Sequence, residues 1–406
     1  MTKNTKNEAY NSRLTIVSDK KKQSSKPKKN SINQFETYAV NKFDFRRNLI
    51  SLDVEITEKG QNNWRVCNEN SLFIEVQKKN IKIPLGSIKA YLKSEYVLDY
   101  HPFKDYFARL HLWDEQEDYI SKYANYLILD PKEDREQFNM AFKKWCVRVV
   151  KCAIIDPYFN KQAFVLTDDG KGQNIGKSTW CRNLCPPSLA NYIAEDISNN
   201  DKDVLVSLCK NLLINIDELA AFSKKEINQL KSLFSKDKVN IRLPYEAKNS
   251  NLPRVASFIG STNMSTFLHD ETGSVRWLCF VITEIDWSYK TDFIMDNLWA
   301  QAYSLAKDPS FKAEMTKEDL KINEQRNEKF QNVTPEFEIL EKFFSSADST
   351  KGEFMTATEI TNYIICNSVS KVNNIQMGKA LKAQNFIREK NDGRYGYWIL
   401  KKPLPI

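Results

Sequence analysis

The chain has 406 residues, is 41% hydrophobic and 28% charged, and carries a formal charge of +8. That is ordinary for a globular protein and long enough for two or three domains, with a mild bias toward polyanions. No apolar run approaches the roughly 18 residues of a membrane span, and the polar N-terminus lacks a signal-peptide core, so a cytoplasmic protein that does not span a membrane is expected.

Eight cysteines and three histidines (His101, His111, His269) make no zinc-ligand pattern. Cys181 and Cys185 form the closest cysteine pair, and reduced buried thiols are expected.

Residues 1–45 lack hydrophobic periodicity and hold Lys20, Lys21, Lys22, Lys26, Lys28 and Lys29 among polar residues. A disordered basic tail is expected, either touching nucleic acid or merely solvated. Residues 46–96 alternate apolar and polar at 49–56, 64–66, 72–76 and 81–83 and read as a small strand-rich module. Asp53 and Glu55 would share one strand face there. A charged edge is the better reading than a two-metal centre, because no further acid accompanies them. Residues 97–160 read as the helical N-terminal part of the following region, with aromatics at helical spacing as core and His101 in a structural role.

Residues 161–305 read as an α/β P-loop core. The apolar run 163–166 predicts a buried strand, and the turn Gly170-Lys-Gly172-Gln173-Asn174-Ile175-Gly176 leads into a helix opening at Lys177-Ser178-Thr179. Backbone N–H groups of such a loop cradle phosphates, the lysine reaches the β and γ oxygens, and the hydroxyl after it binds Mg²⁺. The strict spacing wants glycine at 171, where lysine stands. Either the loop carries one extra residue or Gly172 makes the tight turn.

A second apolar run, 212–216, ends in Asp217 and Glu218. Acids at the carboxyl end of a parallel strand suit a metal-holding Asp217 and a general-base Glu218. A third run, 255–263, ends in Asn263, placed to orient the attacking water. Arg276 could complete a neighbouring subunit's site, or simply make a surface salt bridge. The segment 236–250 interleaves Lys236, Lys238, Arg242, Tyr245 and Lys248 in a hairpin or loop. That mixture suits the backbone of single-stranded DNA, although such charges can equally be a solvated face.

Residues 306–333 read as a helical connector. From 334 to 406, helices around 337–344, 357–365 and 375–384 and a hairpin about Asn391-Asp392-Gly393 predict a winged helix-turn-helix. Ile375, Met377, Ala380 and Leu381 would face inward with Lys379 and Lys382 outward, and Lys379, Lys382 and Arg394 would contact DNA; a winged helix that docks a protein is the alternative.

Over residues 97–300 the chain resembles the virulence-associated protein E (VirE-like) family of phage and mobile-element replication proteins, grouped with superfamily 3 helicases of the AAA+ class. The marks are Tyr100-His-Pro with Leu112-Trp-Asp114, Gln173 through Thr179, Ile216-Asp-Glu-Leu219, Leu243-Pro-Tyr245 before Pro253-Arg254, Ser261-Thr-Asn263, and Phe267 through Trp277. The resemblance implies a ring-forming ATPase that uses ATP and Mg²⁺ to move along DNA, in its fullest form a hexameric DNA helicase. Lys177 and Ser178 would then be the phosphate and metal residues, Asp217 and Glu218 the metal and water residues, Asn263 the sensor and Arg276 the trans-acting arginine. Asn174 stands where the family favours glycine. Two other classes fit the same motifs: a nucleotide-switched DNA-binding regulator or defence ATPase that separates no strands, and a structural adaptor with a degenerate nucleotide site.

Overall fold

The computed structural model describes residues 30–168, 170, 174–195, 201–217, 219, 224–241, 249–264, 266–268, 274–331, 335–368, 371–384 and 386–403. The chain has a mixed α/β fold and divides into two units, Met1–Tyr100 and His101–Ile406.

The first unit runs α1 (Ser31–Lys42), β1 (Phe43–Asn48), β2 (Val54–Glu58), β3 (Arg65–Val66), α2 (Glu69–Lys78), α3 (Leu85–Leu92) and β4 (Leu98–Tyr100). Its sheet has the order β3-β2-β1-β4. One core joins Phe35, Ala39, Phe43, Ile56, Leu72, Val76, Ile88 and Leu92.

Three expectations are corrected here. The stretch 72–76 is helix, not strand: Leu72 and Val76, four residues apart, bury together, while Ile74 points out at 53% exposure. Its alternation mimicked a strand, but Asn68 caps the helix by accepting from the Ser71 N–H (2.9 Å). The basic tail also ends earlier than residue 45. Asn30 caps α1, and Phe35 and Ala39 anchor that helix in the core; the lysine-rich stretch of residues 1–29 lies outside the described residues. Glu55 is no open metal ligand, because it accepts from Arg46 (2.6 Å) and Asn48 (2.7 Å), and the Arg46 guanidinium lies against the rings of Trp64 and Tyr100. Asp53 precedes β2 rather than sharing its face.

The second unit opens with α4 (Pro102–Arg109), α5 (Tyr119–Ala124), β5 (Leu127–Leu129) and α6 (Arg135–Ile154). There follow β6 (Ala163–Thr167), α7 (Lys177–Asn183), β7 (Ile193–Glu195), α8 (Asp201–Lys210), β8 (Leu213–Ile216), α9 (Lys224–Phe234), β9 (Lys238–Ile241), β10 (Ser250–Pro253), β11 (Ser257–Thr262) and β12 (Trp277–Ile285). The six-stranded sheet has the order β5-β12-β6-β11-β8-β7, parallel except where β5 joins β12. Strands β6, β8 and β11 are buried along their whole length, so they are built of apolar and small residues, with Asn215 the largest polar side chain among them. One face is sealed by α6: Phe138 packs on Phe164 and Phe280, and Phe142 and Trp145 pack on Phe164. On α9, Phe234 packs against Phe258 and Trp277. The buried Arg254 guanidinium donates to the carbonyls of Leu233 (3.1 Å), Phe234 (2.8 Å) and Asn160 (2.8 Å), so it satisfies the open C-terminal end of α9.

The helices α10 (Tyr289–Asp292), α11 (Met295–Lys307) and α12 (Lys317–Asn327) come next. The expected connector is part of the sheet's packing instead. Asn323 and Asn327 on α12 are buried and donate to the Trp277 carbonyl, and Arg326 lies over Phe280.

The C-terminal segment runs α13 (Pro335–Phe343), β13 (Phe344–Ser346), β14 (Glu353–Met355), α14 (Ala357–Asn367), α15 (Asn374–Ala383), β15 (Arg388–Asn391) and β16 (Arg394–Lys401). Strand β16 pairs antiparallel with each of the other three. Thr356 and Glu359 close a capping box on α14. Asp392 and Gly393, both with positive φ, form the two-residue β15–β16 turn. The core takes in Leu340, Phe343, Ile360, Ile364, Met377, Leu381 and Ile399. Ile375 does not join it, contrary to expectation. It lies two residues before Met377, about 200° around the helix, and is 71% exposed.

Among the described residues, no helix is long and apolar enough to cross a membrane. All eight cysteines are free and six are buried.

Candidate active site

Because β11 lies between β6 and β8, the carboxyl ends of all three strands meet at one edge of the sheet. Thr167 and Asp168 leave β6 there, Asp217 follows β8, and Ser261, Thr262 and Asn263 end β11. The Thr167 hydroxyl donates to the Met264 carbonyl (3.0 Å) and ties the first of these ends to the last.

Among the described residues of the turn after β6, Gly170 (φ 74°), Asn174 (φ 63°) and Gly176 (φ 97°) are left-handed. Asparagine is among the few side chains that adopt this conformation readily, so Asn174 serves where glycine was expected. At Gly176 the demand is steric as well, because a Cβ there would lie 2.3 Å from the Trp287 ring.

Lys177 opens α7 and is 5% exposed. Its Nζ donates to Asp168 Oδ2 (2.6 Å) and to Asn263 Oδ1 (2.7 Å). Asp168 Oδ1 accepts from the Gly170 N–H (3.0 Å). The next residue begins a second group: Ser178 Oγ donates to Asp217 Oδ1 (2.7 Å), Ser261 Oγ reaches the same oxygen (2.7 Å), and the two hydroxyls are 2.9 Å apart. Gly260 keeps the strands close, since a Cβ there would be 2.8 Å from the Ile216 carbonyl oxygen.

Cys181 is buried behind this group. Burial first, and Asp217 second, raise its pKa, so it stays a neutral thiol. His101 is structural: Nδ1 accepts from the Lys104 N–H (3.3 Å) at the start of α4, and burial lowers its pKa to about 4.

The residue types suit a magnesium–triphosphate. Two hydroxyls and a carboxylate oxygen within 2.7–2.9 Å of one another form a hard-oxygen set, and Mg²⁺ is commonly held by one or two carboxylates together with phosphate and water. Lys177 supplies the cation beside it. Thr179 and Ile175 are half-buried around the lysine.

Of the expected site residues, Lys177, Ser178, Asp217 and Asn263 come together. Asp168, Ser261 and Trp287 join them without having been assigned a role: Asp168 directly follows β6, Ser261 lies within β11 and Trp287 comes two residues after β12. Gly172, Gln173 and Glu218 lie outside the described residues, as do Arg242, Tyr245 and Lys248. Arg276 is not in this chain's site. It precedes Trp277, which pairs with Ala163, the first residue of β6, so it lies at the opposite edge of the sheet, where Nε donates to Ser235 Oγ (3.3 Å). The expected hairpin forms from β9 and β10 and also leads into the starting end of β11. Lys238 is exposed and Lys236 half-buried. In the C-terminal segment Lys379 and Lys382 are exposed on α15, whereas Arg394 pairs with Glu359 (3.1 Å).

The family model of the virulence-associated protein E-like domain matches residues 108–332. Among solved structures, "The apo structure of NrS-1 C terminal region (305-718)" is similar at a TM-score of 0.49 and 13% identity, covering 92% of this chain and 100% of that one. "The A form apo structure of NrS-1 C terminal region-CTR(305-718)" is similar at a TM-score of 0.49 and 14% identity, with the same coverage. No curated protein matches the chain. The family match spans more than half of the sequence, from α4 through the sheet to α12, and the chain therefore belongs to the virulence-associated protein E-like family.

Proposed function

We propose that the protein is an ATP- and Mg²⁺-dependent DNA helicase of superfamily 3 type, with a P-loop AAA+ core, working as a hexameric ring in the replication of a phage, plasmid or other mobile element. One observation carries the reading: Lys177, Ser178, Asp217 and Asn263, from three separate chain segments, converge within hydrogen-bond distance of one another or of a shared partner at the carboxyl edge of a parallel sheet.

Mg²⁺, when bound, neutralises charge on the β- and γ-phosphate oxygens. The protein's part is positioning. Lys177 directs its ammonium to the phosphates from a buried site, where a charge acts more strongly than in water. Ser178 and Asp217 would hold the metal, with Ser261 fixing the carboxylate. Asn263 orients the attacking water, and Glu218 accepts its proton. In this reading Arg276 acts on the neighbouring subunit's site, which agrees with its place at the far edge of its own sheet.

We read the C-terminal segment as a winged helix that binds DNA. Three helices and a tight hairpin support this, with Lys379 and Lys382 on the outer face of α15. The hairpin segment 236–250 is the proposed track for single-stranded DNA.

A nucleotide-switched regulator is the second reading, and the tie between Lys177 and Asp168 favours it, because binding would then rearrange the site before any turnover. Unwinding of a forked duplex in the presence of Mg²⁺-ATP separates the two. Strand separation is expected. Turnover on the same DNA without separation would assign the regulator.

A further inference from the structure

We propose that Asp168 is a resident competitor for the phosphate-binding lysine, a positioning residue whose carboxylate occupies Lys177 when no nucleotide is bound and must give it up when one arrives. The inference rests on the triphosphate reading of the site.

Both members of the pair are nearly sealed from solvent, with side chains 5% and 2% exposed, and Nζ lies 2.6 Å from Oδ2. A lone ammonium at that depth would be costly, and the carboxylate offsets the cost. The second oxygen is engaged too, by the Gly170 N–H, where the turn becomes left-handed. Asp168 therefore ties the lysine to the first turn of the loop. A triphosphate approaching Lys177 brings several negative charges against a buried carboxylate, and in a poorly screened site that repulsion is strong. Asn263 differs: its neutral amide oxygen also holds Nζ, at 2.7 Å, but carries no charge to oppose the phosphate. The geometry thus assigns opposite effects to the two partners of one ammonium. Asn263 aims it, while Asp168 neutralises it and lowers the affinity for the incoming anion.

By linkage, a change that destabilises the empty protein more than the bound one tightens binding. Asp168→Asn keeps the shape and removes the charge. Titration of the whole chain with Mg²⁺-ATP is expected to show binding at least about tenfold tighter in Asp168→Asn, with a lower melting temperature when empty and a larger upward shift on saturation. Asp168→Glu is expected to restore most of the wild-type affinity, which a purely structural role would not require. Wild-type binding with equal or weaker binding by a folded Asp168→Asn would overturn the competitor role alone, weaker binding pointing to Asp168 as a metal or phosphate-side ligand. Binding by neither protein would overturn the triphosphate reading, and the competitor with it.

Discussion

Gly176 answers two demands at once: φ is 97°, and the Trp287 indole occupies the space a side chain would need. Alanine meets the first with backbone strain of roughly 1–3 kcal/mol and the second by pushing the ring aside. Gly176→Ala is therefore expected to lower stability by about that amount in denaturant unfolding and to cost nucleotide binding more than stability, because the strain falls one residue before Lys177. An unchanged melting curve with unchanged binding would remove Trp287 from the loop's architecture. Single residues were legible where chemistry restricts the type. Lys177 and Ser178 follow a glycine-rich turn, Asp217 and Asn263 stand at the ends of apolar runs, and a lysine, a hydroxyl and an acid so placed already suggest phosphate and metal. Asp168, Ser261 and Trp287 were not legible. Their partners lie 9, 44 and 111 positions away in sequence, at Lys177, Asp217 and Gly176, and only the strand order brings them together.

Elements buried on all sides announced themselves, as β6, β8 and β11 did by short runs free of charged residues and bounded by polar ones. Half-buried elements were harder. Over 72–76 the apolar residues satisfy both a two-residue and a four-residue period, and the cap at Asn68 decides for helix. Ile375 misled for a related reason: helix α15 starts at Asn374, so its first turn extends past the core that Met377 and Leu381 enter. The α12 segment reads polar because its buried face uses asparagine side chains to satisfy carbonyls near β12. On the outer face of α15, Lys379 and Lys382 are exposed. Replacing both by glutamate is expected to weaken duplex binding and to make the slope of log K against log salt shallower by roughly one for each phosphate no longer neutralised, with the far-ultraviolet circular dichroism unchanged. Binding that keeps its full salt slope would move the duplex site off this helix.

Across the whole molecule, charge is distributed unevenly. Residues 1–100 hold 19 Lys and Arg against 11 Asp and Glu, whereas residues 101–406 hold 41 of each, so the entire excess of +8 falls in the first hundred residues. General attraction to polyanions thus belongs to the N-terminal part, and the matched domain must rely on local placement of its lysines. The sheet has two functional edges in this account. Its carboxyl edge gathers the lysine, hydroxyls and Asp217, while the opposite edge carries Arg276 and the base of the 238–253 hairpin. A chain that keeps its candidate arginine so far from its own phosphate site suits a shared site between subunits, which is the physical case for the proposed ring. The most direct measurement is steady-state ATP hydrolysis by the purified chain, with and without Mg²⁺ and single-stranded DNA, beside Lys177→Ala. Mg²⁺-dependent turnover is expected, raised by DNA and lower by at least about a hundredfold in Lys177→Ala. No turnover by the wild type, or equal turnover by the variant, would contradict it.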